Sequence, residues 1–361
     1  MRRVNINQLK AGMVTAEPVT TRSGQVIIER GVELTRPLIM RLSFYCVNEI
    51  AVAGDGEEAA PAAAKPASAP IYSQKIKTSK EFQTFQFDHS FVLNSIKNTM
   101  EDYVFEDGTL ETDEMLRQTT ELFDSCKTSL ELFDMLHNMR SHKDSVYAHS
   151  LNVALICRRI GKWLKLDSEA LDTLTLCGLL HDIGKLKVPS ELLNKPDKYT
   201  AEEFALVKNH TRYGYDLLKN LPLNTHIKKS ALSHHERCDG SGYPLGLTKD
   251  DTDVYAMIVA IADVYDAMTA ARSYRAPLCP FQVIESFEQE GLQKYYPKFI
   301  LTFLQHIADT YRNNRVLLND GRSANIVMLN KSRLSKPVVQ FDDASCIDLS
   351  TTGDLHIQSI L

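Results

Sequence analysis

Histidine and aspartate recur on otherwise apolar faces of predicted helices between residues 149 and 263, and this recurrence constrains the fold most strongly. Apolar residues at helical spacing predict helices with short loops throughout 141–300. One of these helices opens with a capping box of Thr200 and Glu203, and its apolar row begins with Phe204 and Val207. Four of these helices carry six His or Asp positions at their apolar faces: His149, His181, Asp182, His210, His234 and His235. A fifth predicted helix carries Asp263, one position away from its apolar row of Met257, Ile261, Val264 and Met268.

Six such groups at one place point to a metal centre. A single histidine on an apolar face is usually a hydrogen-bonded core residue, and we interpret His137, His142, His226, His306 and His356 in that way. Burying six polar groups without a compensating ion would be costly. The ligand types are imidazole and carboxylate without thiolate, which favours Fe, Mn, Co or Zn over a cysteine-type structural zinc site.

Adjacent pairs of these residues suggest two ions. Neighbouring helical residues diverge by about 100°, so His181 and Asp182 would not normally bind one ion together. Two ions about 3.5–4 Å apart would allow each residue to serve a different ion, or the carboxylate to bridge both. The same holds for His234 and His235. Two such ions would lower the pKa of a water and stabilise the attacking and leaving oxygens of a phosphoester. Lys185, one turn after Asp182, would then neutralise a phosphate oxygen, with a solvated cation at a helix end as the alternative.

The segment HHERCDGSGYP, residues 234–244, joins one histidine pair to a glycine-rich loop. Gly240 and Gly242 permit backbone angles that a side chain forbids, and they would let the chain pass close to a bulky ligand. A helix-terminating turn alone would not account for the preceding histidines. We therefore expect a thin loop at the mouth of the metal site.

These motifs resemble a known family. HDIGK, with an earlier histidine and a later aspartate, resembles the HD superfamily of metal phosphohydrolases, and HHERCDGSGYP resembles its HD-GYP subgroup, similar to phosphodiesterases of cyclic di-GMP. The segments HSLNVALICRRIG, LLHDIGKLKVPSELLNKP, KNHTRYGYDLL and IADVYDAMTAARSYR follow in the family's order. The resemblance covers about residues 140–290. It implies a mainly α protein with an HD-type helical bundle.

The resemblance also implies roles for individual residues. The metal ligands would be His149, His181, Asp182, His210, His234, His235 and Asp263, with Asp182 and Lys185 catalytic. The substrate would contact Lys185, Gly242, Tyr243, Pro244, Arg272 and Arg275. The planar donor fork of arginine suits a phosphate or a guanine edge, although pairing with surface carboxylates is the alternative for both arginines. Asp239 and Asp266 would be structural.

One departure from the family bears on the number of ions. Some members place a carboxylate four residues before the first histidine, where it helps to hold a third metal. That position is Ser145 here, and a helix places the neighbouring Asp144 on a different side from His149. The expectation is therefore two divalent ions, Fe or Mn, rather than three.

The function implied is hydrolysis of cyclic di-GMP to linear pGpG by a metal-bridging hydroxide, with further cleavage to GMP left open. Another cyclic dinucleotide, such as cyclic GMP-AMP, is an alternative substrate. A second class of function is a signalling module that binds the nucleotide, turns it over slowly or not at all, and acts through a protein partner. A complete ligand set favours the enzyme.

Composition and periodicity divide the chain into five parts. We expect a small α+β module at 1–53 with a short helix over 34–45, an Ala/Pro-rich linker at 54–72, a helical connecting region at 73–140, the catalytic domain at 141–312 and a β-rich appendage at 313–361. A turn is predicted at Asp320–Gly321 within the appendage. The first module is interpreted as a packing or dimerisation unit, since no ligand signature supports a sensory role. A homodimer and a signalling partner are both compatible with this organisation.

Bulk properties exclude several classes of protein. The formal net charge is −5, so no strongly basic field is available for duplex nucleic acid. No apolar run approaches the roughly 18 residues of a membrane span, and no apolar segment follows Arg2 and Arg3 as in a secretory signal. The seven cysteines are dispersed, which fits a reducing cytoplasm.

Overall fold

The computed structural model describes residues 2–5, 8–20, 26–28, 30–34, 39, 49–53, 76–139, 145–195, 197–270, 278–290 and 292–361. The chain divides into two compact units, Met1–Phe91 and Val92–Leu361. Among the described residues, no helix combines the length and apolarity that a membrane crossing requires.

The first unit contains two small antiparallel sheets. Strand β1 (Arg2–Asn5) pairs with β4 (Glu49–Val52), and β2 (Val19–Thr20) pairs with β3 (Val26–Ile28). Buried side chains from the strands, the segments between them and the start of the first long helix form one apolar core: Val4, Leu9, Val19, Ile28, Val32, Leu34, Ile50, Val52 and Phe87. The helix predicted over 34–45 falls almost entirely outside the described residues, and so does the linker predicted at 54–72.

Helices dominate the rest of the chain, as predicted. The helices are α1 (Lys80–Phe105), α2 (Thr112–Ser125), α3 (Ser129–Met139), α4 (Val146–Trp163), α5 (Ser168–Leu180), α6 (Ser190–Leu193), α7 (Ala201–Lys208), α8 (His210–Leu218), α9 (Thr225–Ser233), α10 (Val254–Thr269), α11 (Pro280–Glu290) and α12 (Pro297–Thr310). Helix α1 begins in the first unit and ends in the second. A 3₁₀ helix, Ile183–Lys187, follows α5.

Close helix contacts hold the centre of the second unit. Helix α4 is buried along most of its length, and its partner α5 approaches through Gly178, where an added Cβ would lie 2.7 Å from Ala154 Cα. The 3₁₀ helix approaches α8 through Gly184, where an added Cβ would lie 1.9 Å from the carbonyl oxygen of His210. Because only glycine permits these distances, it fixes how closely the histidine-bearing elements converge.

One predicted helix differs from the expectation. The capping box of Thr200 and Glu203 is present at the start of α7, but the helix ends at Lys208 and α8 begins at His210. Val207 is buried, as its place in the predicted apolar row requires. Phe204 was placed in that row and is instead 44% exposed, because α7 is only eight residues long and meets the core mainly through Val207.

The C-terminal residues form the predicted β-rich appendage. Strands β5 (Arg315–Leu318), β6 (Ser323–Met328), β7 (Val338–Gln340), β8 (Cys346–Asp348) and β9 (Ile357–Ile360) make an antiparallel sheet in the order β8-β7-β6-β5-β9. The predicted turn at Asp320–Gly321 joins β5 to β6, and Gly321 adopts a φ of 86° there, which favours glycine. The Asp320 carboxylate accepts the backbone N–H of Arg322 at 3.0 Å.

Candidate metal centre

The histidines of the predicted site lie mainly at helix ends. His149 is in the first turn of α4, His210 opens α8, and His234 follows the last residue of α9. His181 follows the last residue of α5, and Asp182 lies in the turn before the 3₁₀ helix. Because several helices end close together, their short His and Asp side chains can meet at one point, which the packed middle parts of the helices would not allow.

Asp182 belongs to two clusters of possible metal ligands. Its Oδ2 atom lies 3.6 Å from His149 Nε2 and 3.3 Å from His181 Nε2. Its Oδ1 atom lies 3.4 Å from His210 Nε2 and 3.6 Å from His234 Nε2, and His235 completes this second cluster. Each oxygen of one carboxylate therefore faces a different set of imidazoles, the arrangement that a bridging ligand between two ions needs.

Asp263 links the same two clusters from α10. Its Oδ1 atom lies 3.0 Å from His149 Nε2, and its Oδ2 atom lies 3.7 Å from His235 Nδ1. Asp263 therefore reaches the site, although it lies one position away from the apolar row of its helix. The structure brings all seven predicted ligand positions together, and their action as ligands remains a prediction.

Hydrogen bonds orient four of the imidazoles. The acceptors at Nδ1 are the Gly178 carbonyl for His181 (2.8 Å), the Val207 carbonyl for His210 (2.7 Å), the Ser230 carbonyl for His234 (2.9 Å) and the Asp266 carboxylate for His149 (2.8 Å). A carbonyl can only accept, so Nδ1 of the first three rings carries the proton. The Nε2 lone pair of each is then directed into the centre, as metal ligation requires.

Two buried atoms in this centre have no hydrogen-bond partner among the described residues. They are His181 Nε2 and Asp182 Oδ1, on side chains that are almost completely buried. Buried polar atoms are nearly always satisfied, because leaving one unpaired costs about 1–3 kcal/mol. A divalent cation would satisfy both atoms, and the imidazole and carboxylate donors suit such an ion. The residues present therefore fit a metal centre.

Burial keeps three of the histidines neutral. It lowers the pKa of His210, lowers that of His234 well below the ordinary value, and lowers that of His235 to about 3. A neutral imidazole is the form that binds a metal ion. These rings can therefore ligate at neutral pH without first losing a proton.

At His149 and Asp182, neighbouring charged groups shift the pKa more than burial does. Burial opposes the change at His149, but hydrogen bonds to Asp263 and Asp266 raise its pKa to about 9. Burial also opposes ionisation of Asp182, but the ammonium group of Lys185 keeps the pKa of that carboxyl well below its usual range. The centre thus supplies ionised carboxylates beside its histidines.

Lys185 is paired with the carboxylate that joins the two clusters. Its Nζ donates to Asp182 Oδ2 at 2.5 Å, and the side chain is 23% exposed. Lys185 is thus ion-paired rather than fully solvated at the end of the 3₁₀ helix. Contact between Lys185 and a substrate phosphate remains a prediction.

A family model described as the HD domain matches residues 132–299, the part of the chain that contains the whole centre. Residues 132–299 thus match an HD domain, and this match confirms the resemblance noted from the sequence. The helical bundle is of the HD type.

Several similar proteins are named as phosphodiesterases of cyclic dinucleotides. A 3'3'-cGAMP-specific phosphodiesterase 2 from Vibrio cholerae is 35% identical over 188 residues, which are 51% of this chain and 36% of that protein. A cyclic di-GMP phosphodiesterase from Thermotoga maritima is 34% identical over 212 residues, which are 56% of this chain and 57% of that protein. The match thus spans about a third to just over half of these relatives.

A solved structure shares the fold. It is described as an HDG"Y"P protein from Bdellovibrio bacteriovorus, and it aligns with a TM-score of 0.54 at 17% sequence identity. The alignment covers 85% of this chain and 98% of that one.

The glycine-rich loop of the HD domain packs against its own histidine pair. The ring of Tyr243 stacks on His235 at 4.6 Å between centroids and 27° between planes. Gly240 has a φ of 77°, as its glycine predicts. Gly242 is required for a different reason from the one expected, because an added Cβ would lie 2.4 Å from Glu236 Cα and 2.5 Å from the His235 carbonyl oxygen. Its close neighbour is the chain's own backbone.

Glu236 holds the loop in place, a role that was not predicted from the sequence. This side chain is 3% exposed, and its carboxylate accepts the backbone N–H groups of Leu245 (2.7 Å), Gly246 (3.2 Å) and Leu247 (3.0 Å). It therefore ties the far end of the loop to the residue next to His235. An acidic residue directly between a histidine pair and a glycine-rich loop was the available signal, since such a loop has N–H groups to satisfy.

Some predicted positions lie outside the described residues. They are Arg272, Arg275 and Asp144, so their predicted roles stay predictions. Ser145 is described, and its hydroxyl caps α4 by accepting the N–H of Ala148 at 3.2 Å. Asp239 accepts both the backbone N–H and the hydroxyl of Ser241, which holds the loop as expected.

Asp266 gives a test of how the HD domain orients a ligand. We expect Asp266→Asn to lower metal affinity or turnover about 10–100-fold, because the His149 ring loses its charged partner at Nδ1. Metal titration of the apo protein and kcat would measure this.

A matched control is available on the same helix. Asp253, the residue that caps α10, makes an Asp–His contact of the same 2.8 Å with His226, outside the two clusters. Asp253→Asn should leave metal affinity and turnover near the wild-type values. Equal effects of the two substitutions would contradict a specific role for Asp266.

Proposed function

We propose that this chain is a metal-dependent phosphodiesterase that hydrolyses cyclic di-GMP to linear pGpG. The observation that carries the proposal is the carboxylate of Asp182, whose two oxygens face separate sets of histidines inside an HD domain. Two ligand clusters joined by one carboxylate suit catalysis, because two ions can act on the attacking and leaving oxygens of a phosphoester. A protein that only binds the nucleotide would not need this arrangement.

The residues divide the work as follows. His149 and His181 with Asp182 would hold one ion, and His210, His234 and His235 with Asp182 would hold the other, with Asp263 beside both. When bound, two such ions lower the pKa of a water and neutralise charge on the attacking and leaving oxygens of a phosphoester.

Lys185 and the loop complete the proposed site. Lys185 holds the shared carboxylate ionised, and its ammonium group is close enough to the centre to add positive charge for a phosphate oxygen. Gly242, Tyr243 and Pro244 would line the substrate side, since Tyr243 stacks directly on His235. Arg272 and Arg275 would hold the second phosphate or a guanine edge.

The named relatives support a cyclic dinucleotide as the substrate class. Cyclic di-GMP is named for the relative from Thermotoga maritima and for one from Pseudomonas aeruginosa that is 38% identical over 141 residues. Cyclic GMP-AMP is the second candidate, because the relative from Vibrio cholerae carries that specificity in its name. Further cleavage to GMP would extend the same reaction.

The surrounding parts of the chain serve this activity in our proposal. Residues 141–312 would be the catalytic domain, 73–140 a helical connection, 313–361 an appendage, and 1–53 a packing or dimerisation module joined through 54–72. Free cysteines throughout the described residues support a reducing, cytoplasmic location. A homodimer and a signalling protein partner would fit a module of this kind.

A turnover assay tests the proposal. Full-length protein purified without oxygen and supplied with Mn²⁺ or Fe²⁺ is incubated with cyclic di-GMP and, separately, with cyclic GMP-AMP, and products are separated by chromatography. We expect linear pGpG from cyclic di-GMP at the higher kcat/KM. Tight binding of cyclic di-GMP without product would favour a signalling module, and faster cleavage of cyclic GMP-AMP would reassign the substrate.

A further inference from the structure

An aromatic side chain is exposed close to the metal centre. Phe204 lies on the short helix α7 and is 44% exposed, although its sequence position predicted burial. Its ring meets the ring of Tyr243 at 6.1 Å between centroids and 79° between planes. Exposed rings beside a polar site are costly to hydrate and are suited to stacking with a ligand.

Two contacts tie this ring to the centre. Tyr243, its neighbour, stacks on His235 at 4.6 Å, so a short run of aromatic contacts leads from the imidazole cluster to Phe204. The carbonyl of Val207, on the last turn of α7, accepts from Nδ1 of His210 at 2.7 Å. Helix α7 is therefore held to the centre from both the loop and α8.

A cation accompanies the exposed ring. Lys208 lies four residues after Phe204, on the same face of α7, and its Nζ is 5.1 Å from the Phe204 centroid and 5.7 Å from the Tyr243 centroid. An aromatic ring with an adjacent ammonium group suits a ligand that combines a flat base with negative charge. Purine nucleotides have that chemistry.

We propose that Phe204 forms a platform that holds one purine base of the substrate beside the metal centre, with Lys208 supplying positive charge for the phosphate-bearing part of the same ligand. The inference rests on the proposed function, since the phosphate of the same nucleotide would lie at the centre. Stacking of a base on an aromatic side chain contributes about 1–3 kcal/mol, which corresponds to about 5- to 150-fold in affinity. Phe204 is thus proposed as a substrate-binding residue, and Lys208 adds charge complementarity.

The experiment isolates the base from the phosphate. Calorimetry measures binding of GMP and of ribose 5-phosphate to the full chain loaded with Mn²⁺. Both ligands carry ribose and a 5′-phosphate, and a hydroxyl group replaces the guanine base in ribose 5-phosphate. We expect the wild-type protein to bind GMP at least about fivefold more tightly. Phe204→Ala should bring the two affinities within about twofold, and Phe204→Trp should keep the preference because indole also stacks.

A matched control comes from the same helix. Leu206 is 54% exposed on α7, but its side chain is aliphatic and offers no ring on which a base can stack. Leu206→Ala should therefore keep the wild-type preference for GMP. Lys208→Gln should weaken GMP and ribose 5-phosphate by similar factors, because its charge acts on the phosphate-bearing part of both ligands.

The outcomes separate this inference from the proposed function. Equal affinities for the two ligands in the wild-type protein, no measurable GMP binding, or a preference that survives Phe204→Ala would each overturn the platform. Failure of the wild-type protein to cleave either cyclic dinucleotide would overturn the proposed function instead. A lost preference in Phe204→Ala together with unchanged metal content supports the platform over a general structural defect.

Discussion

Asp182→Ala should lower kcat for cyclic di-GMP by at least about a thousandfold, whereas Lys185→Ala should lower it by about 10–100-fold. Asp182 faces both histidine clusters through separate oxygens, so its removal takes a donor from each ion. Lys185 acts through that carboxylate and through charge near the phosphate, so its loss leaves both clusters of ligands in place.

Metal content distinguishes these roles. We expect Asp182→Ala to lose most of its metal and Lys185→Ala to keep it, as measured by elemental analysis of protein purified without oxygen. Lys195→Ala is a matched control, because Lys195 pairs with Glu203 at 2.7 Å and has a similar exposure, but lies outside both clusters. It should keep both metal and turnover. Equal metal loss in the Asp182 and Lys185 variants would argue against separate roles.

The wild-type protein should contain about two divalent ions per chain, and chelation should abolish turnover. The two clusters allow a sharper version of this test, because each has histidines of its own. His149→Ala and His210→Ala should each reduce the content from about two ions to about one, since each removes a ligand of a single cluster. Turnover should be lost in both variants, because one ion cannot clamp both oxygens of the phosphoester.

A control histidine outside the clusters completes the series. His226 pairs with Asp253 at 2.8 Å, and His226→Ala should retain about two ions and normal turnover. Three ions per wild-type chain would contradict the expected number. Metal-free protein that still cleaves cyclic di-GMP would refute the metal-dependent mechanism.

Much of the centre could be predicted from the sequence because its residue types are unusual where they stand. Six His or Asp positions on the apolar faces of predicted helices are hard to explain without an ion, and this logic needs only the spacing of residues. The adjacency of His181 and Asp182 also anticipated a carboxylate between two ions, which the distances from its two oxygens to the histidines now support. The predicted capping box and C-terminal sheet follow from similarly local rules.

Periodicity was less informative at α7. Apolar spacing placed Phe204 in the core with Val207, but the helix ends at Lys208 and leaves the phenylalanine ring in solvent beside Tyr243. The direction of a side chain on so short a helix depends on what packs against it. That information lies in residues distant in sequence, so the exposed ring was not predictable from its own segment.

The sequence by itself determined which residues could form a metal centre, the mainly helical class and the HD family. Only the tertiary structure decided that Asp182 directs one oxygen to each cluster, that Glu236 holds three backbone N–H groups of the loop, and that Gly242 is needed by the chain's own backbone. The physical reason is that residue type and spacing are local properties. Which oxygen meets which imidazole, and which N–H finds a buried acceptor, depends on distances between segments that only packing sets.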